Sequence, residues 1–201
     1  MRRFFTIICF LLAVQFVYAQ GDAYDLLSRV LNKIESYNPY EVKIEVSYEN
    51  SIISGYYQVD GERYFISIDQ QELYGDADIK YEIFNGRKEV IIDSVTPDDS
   101  GNLLSNPAMA FRSILEHYDA SLELDNQEVT LLELKQSGGW DDASEIIDLY
   151  VDKSTMLPAM VIYKFGDENI TITIKSISKL TSTITLYDSE KYADYEIIDF
   201  R

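Results

Sequence analysis

An α+β fold built on one large antiparallel sheet, with helices gathered on one face, is what the sequence predicts. Three observations predict it: a helical stripe of apolar residues at 22–37, a switch to two-residue alternation from Glu41, and Asn85-Gly86 set between two strand-like runs. The order helix, meander, helix, meander places the helices beside one sheet, not between parallel strands.

The chain opens with MRRFFTIICFLLAVQFVYA, a charged start, an apolar run and a Val17-x-Ala19 end, which predicts a signal peptide over 1–19 cleaved after Ala19. Export to the periplasm follows, and the run is too short and wrongly flanked for a membrane span. Cys9 sits inside that run, so residues 20–201 hold no cysteine, which excludes disulfides and thiolate metal sites. One core must then stabilise a single domain over 20–201.

Within that domain, Asp22 can cap a helix whose Leu26, Leu27, Val30, Leu31 and Ile34 share one face. From Glu41, Val42, Ile44, Val46 and Tyr48 alternate with polar residues, and strand-like runs follow at 52–59 and 63–69. Asn85-Gly86 between YEIF and RKEVII predicts a tight hairpin, because both residues tolerate positive φ. After the polar loop TPDDSGN, Asn106-Pro107 opens a second helix, with Ala108, Phe111, Ile114 or Leu115, and Tyr118 on one face and an end near His117. Strands follow at about 127–135, 144–151, 158–165 and 169–177, divided by SGGWDDAS and GDEN.

A four-residue turn at GDEN would set Phe165 opposite Ile170, Tyr163 opposite Ile172 and Val161 opposite Ile174 on one face. Lys164, Ile162 and Met160 would then meet Thr171, Thr173 and Lys175 on the other. In MLPAMVI, residues 156–162, Val161 turns inward by this reading and Met160 and Ile162 turn outward.

Charge excludes some partners. With 35 acidic against 17 basic residues the formal charge is −18, and losing Arg2 and Arg3 makes it −20, which repels nucleic acid and anionic membrane surfaces. A hydrolase needs a nucleophile, a base and an orienting group, yet the chain has one histidine and no G-x-S-x-G elbow. His117, at a helix C-terminus, suits the negative end of the helix dipole better than a base's role. Catalytic residues, metal ligands and cofactors are therefore expected to be none; TPDDSGN and KYADYE lack the ordered ligand spacing of an EF-hand loop. Asn169-Ile170-Thr171 fits a glycosylation acceptor by a three-residue pattern common by chance. Sixteen tyrosines, nine phenylalanines and one tryptophan suit either a sheet core or the wall of a lipid cavity.

The order of these features resembles the LolA family of periplasmic carriers, which move lipoproteins toward the outer membrane. An amphipathic helix precedes VKIEVSYENSIISGYYQVDGERYFISI, similar to the family's opening strands, and IFNGRKEVII is similar to its hairpin. SNPAMAFRSILEHYDASLEL resembles its second helix, DLYVDKSTMLPAMVIYKFGDENITITIKSI its late hairpin, and KYADYEIIDFR the ending of bacteroidete members. The resemblance implies an incomplete β-barrel with helices covering its open side, and an apolar cavity that binds acyl chains without chemistry.

It also implies the site. Leu27, Val30, Leu31 and Ile34, with Phe111 and Ile114, are the lid; Ile44, Val46, Tyr64, Ile66, Val161, Tyr163, Phe165, Ile170, Ile172 and Ile174 are the wall. The implied partners are acylated lipoproteins, an inner-membrane release complex and an outer-membrane acceptor, met by a monomer that makes no stable membrane insertion. A sensory module reading lipid or lipoprotein on the same fold is the alternative. Two departures stand out. Well-known members carry an arginine that tethers the lid where this chain has Asp60, leaving Arg63 as the candidate latch although alternation points it away from Tyr64. Val90 and Ile91 occupy the place of a frequent tryptophan.

Overall fold

Two-residue alternation, repeated strand after strand, produces one twelve-stranded sheet in the computed structural model, which describes residues 21–95, 113–137, 146–166 and 168–201. Six strands precede the second helix: β1 (Tyr40–Tyr48), β2 (Ser51–Asp60), β3 (Arg63–Ile68), β4 (Gln71–Gly75), β5 (Ile79–Phe84) and β6 (Glu89–Ser94). Six follow: β7 (Tyr118–Asp125), β8 (Val129–Gln136), β9 (Ile146–Asp152), β10 (Leu157–Phe165), β11 (Glu168–Lys179) and β12 (Glu196–Asp199). Helical residues are 21–35 (α1) and 113–117 (α2). The spatial order is β12-β6-β5-β4-β3-β2-β1-β11-β10-β9-β8-β7, so two meanders join where β1 pairs with β11. Every pairing is antiparallel except β12 with β6, and β12 and β7 are the two edges of the sheet.

This architecture is mostly β and corrects the α+β expectation. Alternation was visible in the longer strands, but β4, β7 and β12 were not anticipated. Tyr118 begins β7 and does not extend the second helix, whose described part ends at His117. The expected export segment 1–19, the loop TPDDSGN, the helix opening with Asn106, Pro107, Ala108 and Phe111, and most of SGGWDDAS lie outside the described residues. Among the described residues no helix is long and apolar enough to cross a membrane.

Both hairpin turns differ from expectation. The β5–β6 connection spans Asn85 to Lys88, because Phe84 pairs with Glu89, and the positive φ falls at Lys88. At the β10–β11 turn Phe165 pairs with Glu168, so the connection is two residues long with Gly166 at φ 58°, not four. The register slides accordingly: Tyr163 faces Ile170 and Val161 faces Ile172. Side chains alternate with a period of two, so a slide of two residues leaves every face assignment intact.

The sheet has a core on each side. On one, α1 meets residues of β1, β2, β8, β9, β10 and β11 through Leu27, Val30, Leu31 and Ile34, in a core that also takes in residues of β3 and β7. Strands stand about 4.8 Å apart, so one helix reaches so many of them only where the sheet curls around it. On the other side the segment 180–195 crosses β2 to β6, and Phe65, Tyr74, Ile83, Val90 and Ile92 bury Ile184 and Tyr192. Tyr187 stacks on Tyr81 with ring centroids 4.0 Å apart.

A polar knot pins this crossing. The Glu72 carboxylate accepts from Tyr74 at 2.6 Å, from Lys191 at 2.7 Å and from Tyr192, while the Tyr74 and Tyr192 hydroxyls meet at 2.8 Å. Partial burial pushes the Glu72 carboxyl upward, but the bonds from Lys191, Tyr192 and Tyr74 outweigh it and hold the group at about 2, below its ordinary 4.5. A carboxyl whose folded value is depressed stabilises above its unfolded value and loses that contribution as pH falls through the folded one. Urea midpoints of wild type and Glu72→Gln are therefore expected to differ most at neutral pH and to converge between pH 4.5 and about 2. A constant difference across that window would contradict the assignment.

Candidate binding cavity

The concave face is built row by row. Val46 pairs with Ile172, Ile172 with Val161, Val161 with Leu149 and Leu149 with Leu132, giving one apolar band across β1, β11, β10, β9 and β8. A second band runs from Ile170 through Tyr163 and Ile147 to Leu134. Ile44 meets Ile174 beside them. Pro158, which cannot donate to a ladder, is buried where the β9–β10 register shifts between Pro158 and Met160.

Into this trough α1 inserts residues spaced three and four apart, the spacing that keeps them on one helix face. Leu27, Val30, Leu31 and Ile34 from α1 and Ile114 from α2 meet Ile44, Tyr57, Leu134, Ile147, Leu149, Pro158, Val161, Ile172 and Ile174 around a residual cavity of about 30 Å³. That is room for about one water. The lining is uncharged, and burial pushes the Tyr57 hydroxyl well above its ordinary pKa, so it stays protonated. The two helices are tied at their outer side, where the Tyr24 hydroxyl donates to the Leu115 carbonyl at 2.7 Å. Burying four such side chains is worth roughly 6–12 kcal/mol at about 1.5–3 kcal/mol each, the scale of a whole domain's net stability.

Of the residues expected at the site, Leu27, Val30, Leu31, Ile34, Ile44, Ile114, Val161, Ile172 and Ile174 border this cavity. Tyr64, Ile66 and Tyr163 are buried in the same core, and Val46 and Ile170 are half-buried against it. Tyr64 lies over its register partner Gly75, where an added Cβ would stand 2.2 Å from the ring. Phe111 lies outside the described residues, as does the side chain of Phe165. Arg63 forms an ion pair with Asp60 at the β2–β3 turn, with about half of its side chain exposed. Val90 turns to the second core, and Ile91 shares the concave side with its partner Glu82. His117 is exposed, and its carbonyl accepts the Ser137 amide at 2.7 Å. Among the described residues no three His, Cys, Asp or Glu are grouped to hold a metal ion.

Sequence reading missed Tyr57, Leu134, Ile147, Leu149 and Pro158. The signal was present in VTLLELK and IIDLYV, where apolar residues alternate, but both faces of those strands carry apolar side chains. On the outer face Met160 and Ile162 are half-buried beside Lys164, which bonds to the buried Asp148 at 2.7 Å.

No family model matches the chain, and no curated protein matches it. Among solved structures, an uncharacterised conserved protein from Thermus thermophilus is similar with a TM-score of 0.53 at 10% identity, covering 89% of this chain and 99% of that one. The chain shares that fold. More loosely similar are a candidate outer membrane lipoprotein-sorting protein domain from Vibrio parahaemolyticus (TM-score 0.49, 10% identity, 87% and 97% covered) and the lipoprotein LppX from Mycobacterium tuberculosis (TM-score 0.47, 8% identity, 81% and 98% covered).

Proposed function

We propose that this chain is an exported periplasmic carrier of acylated lipoproteins, which shields their acyl chains on its concave face and delivers them toward the outer membrane without chemistry. The observation that carries the reading is the filled trough: α1 occupies an uncharged aliphatic channel along its length and leaves about 30 Å³. A helix that fills such a channel with its own side chains is a stand-in for a ligand of the same chemistry. The resemblance in motif order to LolA-type carriers supports the same reading, with an inner-membrane complex as donor and an outer-membrane protein as acceptor.

The energetics suit a carrier. Each methylene withdrawn from water is worth about 0.8 kcal/mol, so roughly ten match what the lid's four side chains gain by burial. A ligand that displaces α1 is then held by the difference between two similar terms, which allows release to an acceptor that offers more. No arginine latch is needed; the Tyr24 hydroxyl on the Leu115 carbonyl ties α1 to α2.

The direct test is a fluorescent fatty-acid probe bound by residues 20–201 and displaced by a diacylated cysteine peptide. Saturable binding with displacement is expected. A chain that is folded by circular dichroism yet takes up no acyl ligand would sink the carrier reading.

A further inference from the structure

Beyond α1 the concave face continues across β3, β4 and β5. Ile66 pairs with Leu73 and Leu73 with Glu82, while Ile68 pairs with Gln71 and Gln71 with Phe84. Val46, Ile66, Ile68, Leu73 and Phe84 line a cleft of about 290 Å³, against 30 Å³ under the helix. Among the described residues its lining holds none from α1. The two spaces adjoin, since Ile44 of the filled trough and Val46 of the cleft are next neighbours on one face of β1, and Tyr57 pairs with Ile66.

Two carboxylates, Glu72 and Glu82, belong to its lining, and the charges there and at its margin are matched with one another. Lys80 stands 3.7 Å from Glu82, Arg87 bonds to Glu89 at 2.8 Å with its guanidinium over the Phe84 ring, and Glu72 takes Lys191. The cleft is thus lined mostly by apolar side chains, with its two carboxylates paired, and offers no charge of one sign to recruit an ionic ligand. Its open end widens toward Asp69, Gln70, Gly86 and Arg87, a polar mouth for a headgroup that stays in water. A volume near 300 Å³ is at the lower end of small-molecule sites, room for one chain and not for a pair.

We propose that this cleft is a second binding site, which takes a single aliphatic chain of an acylated ligand while α1 remains seated. The ligand class rests on the carrier reading above; the place, and its independence from the lid, rest on the cleft itself. A ligand with one chain would load here first, and a ligand with two would need the trough as well.

Photolabelling tests it with palmitic acid carrying a mid-chain diazirine, added to residues 20–201 and mapped by peptide mass spectrometry. Label is expected in β3 to β5, at Ile68, Leu73 and Phe84. Competition by unlabelled palmitate or by diacylated peptide supports the site, and which of them competes better identifies a free fatty acid or a lipoprotein as the source. Leu73→Glu and Phe84→Ser are each expected to lower labelling there about tenfold, a cost of about 1.4 kcal/mol; Phe84→Ser keeps the test open if Leu73→Glu does not fold. Label confined to Val161 and Ile172 under α1 would overturn this site and leave the carrier reading standing. Undiminished labelling in both folded variants would also overturn it, and absence of any saturable label would overturn both readings.

Discussion

Leu27→Ala is expected to weaken the fold and tighten binding of a two-chain acyl ligand at the same time. Leu27 is fully buried on the lid side of the cavity, so truncating it should cost about 2–5 kcal/mol in urea unfolding, the range for buried leucines. The same truncation removes about three carbons of apolar competition from the lid. At about 0.8 kcal/mol each, about 2.4 kcal/mol in all, this allows a fluorescent diacylated probe, which needs the trough, to bind up to roughly fiftyfold more tightly. Titration of the probe into wild type and variant measures the second effect, and denaturation measures the first. If α1 only caps a permanent core, stability falls and affinity does not rise.

Gly75 carries the second large effect. Tyr64 crosses the glycine so closely that an added Cβ would lie 2.2–2.5 Å from two of its ring carbons and its hydroxyl oxygen, and Tyr64 is 2% exposed. The ring has no room to withdraw without leaving its place in the core. Gly75→Ala is therefore expected to cost about 1–3 kcal/mol by overpacking, and Gly75→Val more. The conformation itself is ordinary strand, so the penalty belongs to the ring, and Gly75→Ala should cost much less when made in a Tyr64→Ala background than in wild type. A thermal midpoint unchanged by Gly75→Ala would show that the ring shifts freely.

What the sequence disclosed follows from periodicity. The α1 stripe and the alternation of β1 were legible because each carries one period and one apolar face. The inward turn of Val161 and Tyr163 was legible for the same reason, and it survived a misjudged turn because the slide was by two residues. Where the period was broken, reading failed. In β7 a register shift between Leu122 and Leu124 interrupts the alternation, and the spacing of Ile114 and Tyr118 mimics one more helical turn. The short strands β4, with its glycine, and β12, which exists only by pairing with β6, have little pattern of their own. The second core was hidden because residues 180–195 follow neither period; their tyrosines find partners on the outer face of β2 to β6. The balance of helix and strand was misjudged for these reasons.

The candidate site divides in the same way. The buried face of α1 followed from the helix period, and the concave faces of β1, β10 and β11 from alternation. Leu134, Ile147 and Leu149 come from strands with apolar residues on both sides, where alternation does not choose a face. The cleft at Leu73 and Phe84 requires β4 and β5 to be paired before it can be seen.

If α1 holds the place of a ligand, amide hydrogen exchange of α1 with and without a saturating diacylated cysteine peptide will show its displacement. Amides around Leu27 to Ile34 are expected to exchange faster in the complex, while β9 to β11 remain protected. Equal or stronger protection of α1 with the peptide bound would contradict it.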